Sequence, residues 1–284
     1  MKHARIGGAL AVCAASLISA PALAGSGAAA VAPTIANAPL QNGGSIHNTW
    51  SASNWSGYAE TGTFTGVSGT WTVPTVSPSA SATYSSSWVG VDGFSDSSLI
   101  QTGTEDDYYS GAAHYSAWWE ILPAAETPLP TSSYPVAPGD TMSAKIWETS
   151  ATTGFGRWGS HKWDIVIADS TRGWSFTTTQ NYNGPGTSAE WILEAPEVNG
   201  RIATLATYSE SPAAGTGDFD NAGILDSVVS SGTPTYTGAA LNYTKDSGVM
   251  IQNGVHVSTP GAPDAALTAF NMAYGATVPA APAG

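Results

Sequence analysis

Residues 86–93, SSWVGVDG, carry the pattern that decides the fold. Successive residues of a β-strand point to opposite faces, so Val89 and Val91 share one face. Trp88 and Asp92 share the other. The first face is purely apolar and suits packing between two sheets. The second combines a ring with a carboxylate, which is typical of a binding surface.

Other short runs alternate in the same way and are separated by Gly, Pro, Asn and Asp. The mixed face recurs, and exposed tryptophans on it indicate a site rather than an ordinary solvent face. Long helical periodicity and internal repeats are absent. The pattern predicts an all-β fold, a two-sheet antiparallel β-sandwich of the jelly-roll or concanavalin type. The runs are 68–76, 98–105, 114–123, 141–149, 161–169, 188–196 and 202–210.

The first 24 residues have the layout of a secretory signal peptide. Lys2 and Arg5 form a basic start, an apolar run covers 6–20, and a small-residue cleavage site ends at residue 24. We therefore expect secretion to the extracellular space.

The rest of the chain divides by composition. We expect a flexible leader or short propeptide over residues 25–50, because this stretch is rich in Ala, Gly, Pro and Asn. One β-sandwich domain is predicted over 51–275 and a flexible tail over 276–284.

Charge and cysteine content exclude several classes of function. Without Lys2 and Arg5 the chain keeps 6 basic residues against 21 acidic ones, a formal net charge of −15. This charge repels nucleic acid and anionic membranes, so we expect neither as a partner. The only cysteine, Cys13, lies in the signal peptide. Cysteine nucleophiles, disulfides and zinc ribbons are therefore excluded for the mature chain.

Common hydrolase motifs are absent. There is no G-x-S-x-G elbow, and the histidines show neither H-x-H nor H-E-x-x-H spacing. We accordingly expect no metal or other cofactor.

Five short motifs occur in the order and approximate spacing of a known family. On them the chain resembles the glutamic peptidases, also called eqolisins, from about Asn54 to beyond Glu194. The motifs are N-W-S-G-Y at 54–58, W-V-G-V-D-G at 88–93, L-I-Q-T-G at 99–103, W-W-E-I-L-P at 118–123 and A-E-W-I-L-E at 189–194.

The resemblance implies a sandwich of two large antiparallel sheets and an acid-active, pepstatin-insensitive endopeptidase. Its expected partners are unfolded or extended polypeptides, and we expect a monomer. The family's catalytic glutamine falls on Gln101 and its catalytic glutamate on Glu194. Glu190 shares the face of Glu194 but lies roughly 13 Å away along an extended strand. Unlike the fungal members, the mature chain has no cysteine and its leader has no Lys or Arg.

The resemblance also implies supporting residues. A further acidic position falls on Glu105, or on Asp106 if the turn shifts register. The other supporting or substrate-binding positions are Asn54, Trp55, Trp88, Asp92 and Glu120.

The residue types suggest a mechanism. Ionised Glu194 can accept a proton from a water molecule that attacks the peptide carbonyl, and can return that proton to the departing nitrogen. Gln101 can orient the water through its oxygen and donate from its NH₂ group to the oxyanion. No covalent intermediate is required.

Two alternatives fit the residues without the resemblance. Tryptophan-lined sandwiches with two carboxylates also hydrolyse glycans, although a glycosidase would use a second carboxylate in place of Gln101. A carbohydrate-binding module would use the same tryptophans and would not depend on Glu194.

Overall fold

The structure, a computed structural model, describes residues 33–41, 44–46, 49–151, 161–208 and 219–283. The predicted signal peptide lies outside these ranges, as do residues 25–32, 42–43 and 47–48 of the predicted leader and the last residue of the predicted tail. No helix in the described ranges is long and apolar enough to span a membrane.

Short strands make up most of the described regular structure. One helical turn, α1 (Tyr243–Asp246), is capped by the side chain of Asn242, which accepts a hydrogen bond from the backbone N–H of Thr244. The strands in chain order are β1 (Ile35–Ala36), β2 (Gly44–Ile46), β3 (Thr49–Ala52), β4 (Trp55–Thr61), β5 (Gly66–Thr72), β6 (Ser86–Val91), β7 (Ile100–Tyr109), β8 (Ala112–Ile121), β9 (Thr127–Pro128), β10 (Thr141–Ala151), β11 (His161–Asp169), β12 (Trp174–Asn181), β13 (Ser188–Glu194), β14 (Glu197–Val198), β15 (Arg201–Ile202), β16 (Phe219–Leu225), β17 (Thr237–Gly238), β18 (Ser247–Gln252), β19 (Val255–Pro260) and β20 (Met272–Tyr274).

Within the described residues, the strands form two large sheets and one small one. The larger sheet has the order β2-β3-β18-β4-β13-β6-β7-β8-β9, with β19 and β20 added beside β18. The second has the order β12-β11-β10-β5-β16-β17, and the small sheet is β1-β14-β15. The strands pair antiparallel except β3 and β18, which are parallel. The predicted all-β, two-sheet antiparallel sandwich is confirmed, with the small sheet as an addition.

The main hydrophobic core lies between the two large sheets. Two tryptophans fix the sheets to each other by hydrogen bonds: the indole N–H of Trp191 donates to Ser68 O (2.7 Å), and that of Trp71 donates to Thr104 Oγ1 (3.0 Å). Buried polar groups of this kind need a partner, and these have one. The predicted apolar face of β6 is confirmed, because its two valines belong to this core. Core residues include Val67, Val89, Val91, Ile100, Met142, Ile146, Ile165, Ile167, Trp191 and Leu193.

A second apolar cluster lies on the opposite face of the larger sheet. It was predicted to expose its tryptophans, and that expectation is wrong: Trp55, Trp88 and Trp118 are completely buried. Trp55 packs edge-on against Trp88, with ring centroids 4.9 Å apart. The rings therefore form a second core under the site. The cluster comprises Trp50, Ala52, Trp55, Ala59, Trp88, Leu99, Trp118 and Ile192.

Candidate active site

Strand register places the candidate polar residues on this second face. Gln101 lies directly between Gly90 on β6 and Glu120 on β8. Gly90 leaves room for it, since a Cβ at Gly90 would lie 2.9 Å from the ring of Trp88 and 3.2 Å from Cβ of Gln101. Any larger residue there would crowd the Trp88 ring and the Gln101 side chain.

Glu120 orients the Gln101 amide. Gln101 Nε2 donates to Glu120 Oε2 at 2.6 Å, and both side chains are fully buried. Gln101 Oε1 is buried and has no hydrogen-bond partner among the described residues. The Gln101 carbonyl oxygen is thus left to accept a hydrogen bond from a bound molecule.

Glu194 is held by donors on both carboxylate oxygens. The indole N–H of Trp88 donates to Oε2 (2.9 Å), and Asn54 Nδ2 donates to Oε1 (3.3 Å). These donors favour the ionised form. Glu190, on the same face and strand, is also buried, but neither of its oxygens has a partner among the described residues. The two glutamates are therefore in different environments.

Glu105 and Asp106 are adjacent in β7, so their side chains lie on opposite faces of the sheet, and only one of them can lie on the face of the site. Strand β7 continues to Tyr109, so its alternation holds through both residues. Glu105 pairs with Ser86, next to Glu194 in the adjoining strand, and lies on the site face. Asp106 lies on the opposite face, where Thr104 receives the Trp71 hydrogen bond. Of the two acids, Glu105 is the one near the site.

Burial changes the protonation of these carboxyls. It raises the pKa of Glu120 to about 8 and that of Glu105 to about 7. Burial also raises the pKa of Glu194 well above its usual range; hydrogen bonds from Ala38 and Trp88 oppose the rise and the nearby Glu120 adds to it. In acid, Glu105 and Glu120 are therefore neutral, and only neutral neighbours allow a charge on Glu194 without repulsion.

One segment, residues 34–41, contacts both Glu120 and Glu194. The backbone N–H of Asn37 donates to Glu120 Oε2 at 3.2 Å. The next N–H, that of Ala38, donates to Glu194 Oε1 at 3.0 Å. Two consecutive backbone N–H groups therefore donate hydrogen bonds to Glu120 and to Glu194. Glu120 is also the residue that binds the Gln101 amide.

A protein-family model matches the part of the chain that contains the site. The model of the peptidase A4 family matches residues 53–253, which include all five motifs and both Gln101 and Glu194. The chain belongs to the peptidase A4 family. The resemblance to glutamic peptidases seen in the sequence is therefore confirmed.

Two curated proteins are similar to this chain over part of their length. Aspergillopepsin-2 of Aspergillus niger is 28% identical over 182 residues, covering 55% of this chain and 61% of that protein. Scytalidopepsin B of Scytalidium lignicola is 31% identical over 148 residues, covering 50% and 51%. The matched part of the chain therefore spans between half and two thirds of these relatives.

A solved structure supports the fold of this A4 chain. A crystal structure of scytalido-glutamic peptidase with a transition state analog inhibitor is similar with a TM-score of 0.59 and 22% identity. It covers 78% of this chain, and the chain covers 98% of it. At this identity the similarity establishes the shared sandwich.

In this A4 family chain, the carboxylate of Asp92 accepts its hydrogen bonds from a loop and not from Gln101. Its carboxylate accepts hydrogen bonds from Tyr182 Oη (2.6 Å), the backbone N–H of Gly186 (2.9 Å), and the backbone N–H and hydroxyl of Thr187 (2.7 and 3.2 Å). Asp92 has a left-handed backbone, with φ of 73°. The contacts join the end of β6 to the loop before β13, so Asp92 fixes the strand that carries Glu194.

We expect Asp92→Ala to destabilise the fold by on the order of 3 kcal/mol, because it leaves several buried donors without an acceptor. Chemical unfolding measures this change. Asp96→Ala is the matched control: Asp96 is less buried, and its hydrogen bonds to the described residues come from Ser98 N and the Thr187 hydroxyl. Equal midpoints for the Asp92 variant and the unaltered protein would show that the loop is held in another way.

Sequence reasoning missed Tyr182 and Asn37. The N-G-P-G run at 183–186 predicts a loop after Tyr182 but does not predict its partner. Asn37 lies in an Ala- and Pro-rich stretch that carries no local signal for a contact 83 positions away.

Proposed function

We propose that this chain is a secreted, acid-active glutamic endopeptidase that acts on extended polypeptides as a monomer and is insensitive to pepstatin. The observation that carries the proposal is the hydrogen bonding of consecutive N–H groups, those of Asn37 and Ala38, to Glu120 and Glu194. A site that accepts hydrogen bonds from consecutive backbone N–H groups in this way is suited to binding a polypeptide substrate. Membership of the peptidase A4 family supports the assignment.

Glu194 is the general base and acid in this proposal. Its carboxylate takes a proton from water as the water oxygen adds to the peptide carbonyl carbon, and later returns that proton to the leaving nitrogen. The donors Trp88 and Asn54 hold both oxygens in place. Segment 34–41 contributes to the burial of Glu194, so its departure would admit water, which lowers the pKa of Glu194, and would remove the Ala38 hydrogen bond, which raises it.

Gln101 positions the water and stabilises the oxyanion. Because Gln101 Nε2 donates to Glu120, its free Oε1 is available to accept from the attacking water. The second N–H of the amide can donate to the developing oxyanion. Glu120 Oε2 accepts from both Gln101 and Asn37, so the proton of neutral Glu120 belongs on Oε1, which has no other partner among the described residues. Acid keeps Glu120 neutral and this arrangement intact.

The carbohydrate alternatives lose their main support. They require tryptophan rings at the surface to stack on sugars, and Trp55, Trp88 and Trp118 are fully buried. The residue beside Glu120 is the amide Gln101 rather than a second active carboxylate.

Gln101→Ala should lower kcat about 10²–10³-fold, the range found when one oxyanion donor is removed. The assay is peptide mass mapping of an acid-denatured protein after timed digestion, with and without pepstatin. Gln180→Ala, a glutamine substitution on β12 of the second large sheet, is the matched control and should leave kcat unchanged. A Gln101 variant with normal turnover would remove this role, and release of reducing sugar without peptide cleavage would favour the glycosidase.

A further inference from the structure

The loop between β8 and β9, residues 122–126, is attached to the strands that carry Gln101 and Glu120. It begins two residues after Glu120, and the backbone N–H of Leu122 donates to Leu99 O at 3.0 Å, two residues before Gln101. The Leu122 side chain packs against the second apolar cluster. At the other end of the loop, β9 pairs with β8. A movement of the β8–β9 loop would therefore reach the end of the strand that holds Glu120.

Glu126 ties the middle of this region to the site face of β7. It is the only charged residue between positions 121 and 130. The preceding residues 123–125 are exposed, whereas Oε2 of Glu126 is buried. The carboxyl of Glu126 is in hydrogen-bond contact with the carboxyl of Glu105, which lies four residues along β7 from Gln101. The loop is thus fastened at the level of Glu120 and again at the level of Glu105.

Two carboxyl groups can form a hydrogen bond only if one of them carries a proton. Oε2 of Glu105 and Oε2 of Glu126 are both buried, and neither accepts a hydrogen bond from a described donor. Burial raises the pKa of both groups; their contact opposes the rise at Glu105 and adds to the rise at Glu126. These opposite effects are those expected when Glu126 carries the proton and Glu105 accepts the hydrogen bond.

The charged groups around Glu126 are all acidic. Glu105 and Asp107 face it from β7 and Glu120 faces it from β8, and each adds to the rise of its pKa. In the part of the chain that the structure describes, the ion pairs of Lys, Arg and His involve other carboxylates. A proton is therefore the positive charge that allows this contact to form.

We propose that Glu126 is a positioning residue of the candidate site: its protonated carboxyl donates a hydrogen bond to Glu105 and so holds the β8–β9 loop, and with it Glu120 and the Gln101 amide, in place. The inference rests on the proposed function, because the geometry that Glu126 maintains is that of the Gln101 amide. Glu126 lies outside the five sequence motifs and contacts neither Gln101 nor Glu194 through a hydrogen bond among the described residues.

Proton loss should release the loop. While Glu126 keeps its proton, the contact with Glu105 survives whether Glu105 is neutral or ionised. When both are ionised, two buried like charges face each other and the contact is lost. Because the two groups titrate together, the loss of each proton belongs to the pair. An amide in place of Glu126 would keep a donor for Glu105 at every pH.

The kinetic test compares two substitutions on a fluorogenic peptide at about pH 4, near the reference pKa of glutamate. Glu126→Ala should lower kcat about two- to tenfold, the equivalent of one net hydrogen bond. KM should change less, because Gln101 acts on the transition state. Glu126→Gln should restore kcat to that of the unaltered protein. Asp226→Asn, which removes an exposed carboxylate after β16, is the matched control and should leave kcat unchanged.

Hydrogen exchange provides a second readout that does not require activity. The amides of Leu122 and Ala124, which donate to Leu99 O and Ile121 O, report on the loop. Amides of β10, a central strand of the second sheet, report on global unfolding. From about pH 4 to about pH 8, loop exchange relative to β10 should rise in the unaltered protein and stay level in Glu126→Gln. In Glu126→Ala it should be high throughout.

The outcomes separate the two proposals. Unchanged kcat in folded Glu126→Ala, or an equal loss in the Ala and Gln variants, overturns the positioning role and leaves the endopeptidase standing. Loop exchange with the same pH dependence in Glu126→Gln and in the unaltered protein also overturns it. If the unaltered protein does not hydrolyse the peptide, the endopeptidase is contradicted, and the exchange measurement still decides whether Glu126 holds the loop.

Discussion

Glu194→Gln should lower kcat for peptide hydrolysis about 10²–10⁴-fold, the contribution of a positioned general acid–base group. Glutamine has nearly the shape of glutamate but cannot take a proton from water. It keeps an oxygen that can accept from Trp88 or from Ala38, so KM should change far less than kcat. Initial rates on a fluorogenic peptide at acidic pH, with circular dichroism to verify folding, measure the effect.

Glu190→Gln is the matched control. Glu190 is buried on the same strand and face as Glu194, but it pairs with Gly90 and lies at the level of Gln101, four residues along. Among the described residues, neither Glu190 oxygen has a hydrogen-bond partner in segment 34–41. Its substitution should change kcat by no more than a few-fold, and full activity in Glu194→Gln together with loss in Glu190→Gln would transfer the base to Glu190.

Raising the pH from about 4 to about 8 should destabilise the folded protein by on the order of 5 kcal/mol. The ordinary pKa of glutamate is 4.5, whereas burial raises that of Glu105 to about 7 and that of Glu120 to about 8. Between these values the folded protein binds more protons than the unfolded chain. The free energy of unfolding is therefore greatest below the unfolded pKa and falls as pH rises through the folded values.

Neighbouring acids act in the same direction. Burial also raises the pKa of Asp106 and Asp107, and their proximity to Glu105 adds to the effect. A loss of this size approaches the whole stability of many domains. Chemical unfolding across the pH range measures it, and Glu120→Gln, which resembles the neutral acid, should flatten the curve. Stability that rises from pH 4 to 8 would contradict this account.

Alternation along single strands was enough to predict the two faces of the larger sheet. Val89 and Val91 lie in the main core and Trp88 on the other face, as the period of two requires. The same rule, applied along the full length of β7, separates Glu105 from Asp106. It could not be used securely before the structure, because the sequence does not show that β7 runs unbroken to Tyr109.

The hydrogen-bond partners of Asp92 could not be predicted from the sequence either, because they lie far away along the chain. A carboxylate in a mixed strand face suggested a site, but its partners come from a loop about 90 positions later. A turn signal shows that a loop exists and gives no information about where the loop packs.

Local periodicity and short motifs were enough to predict the sandwich, the family and the faces of the strands. Only the folded chain shows that the tryptophans form a buried second core and that Asn37 and Ala38 donate hydrogen bonds to Glu120 and Glu194. Those contacts join residues 83 and 156 positions apart. They depend on strand order and on the path of segment 34–41 over the sheet, which local periodicity does not encode.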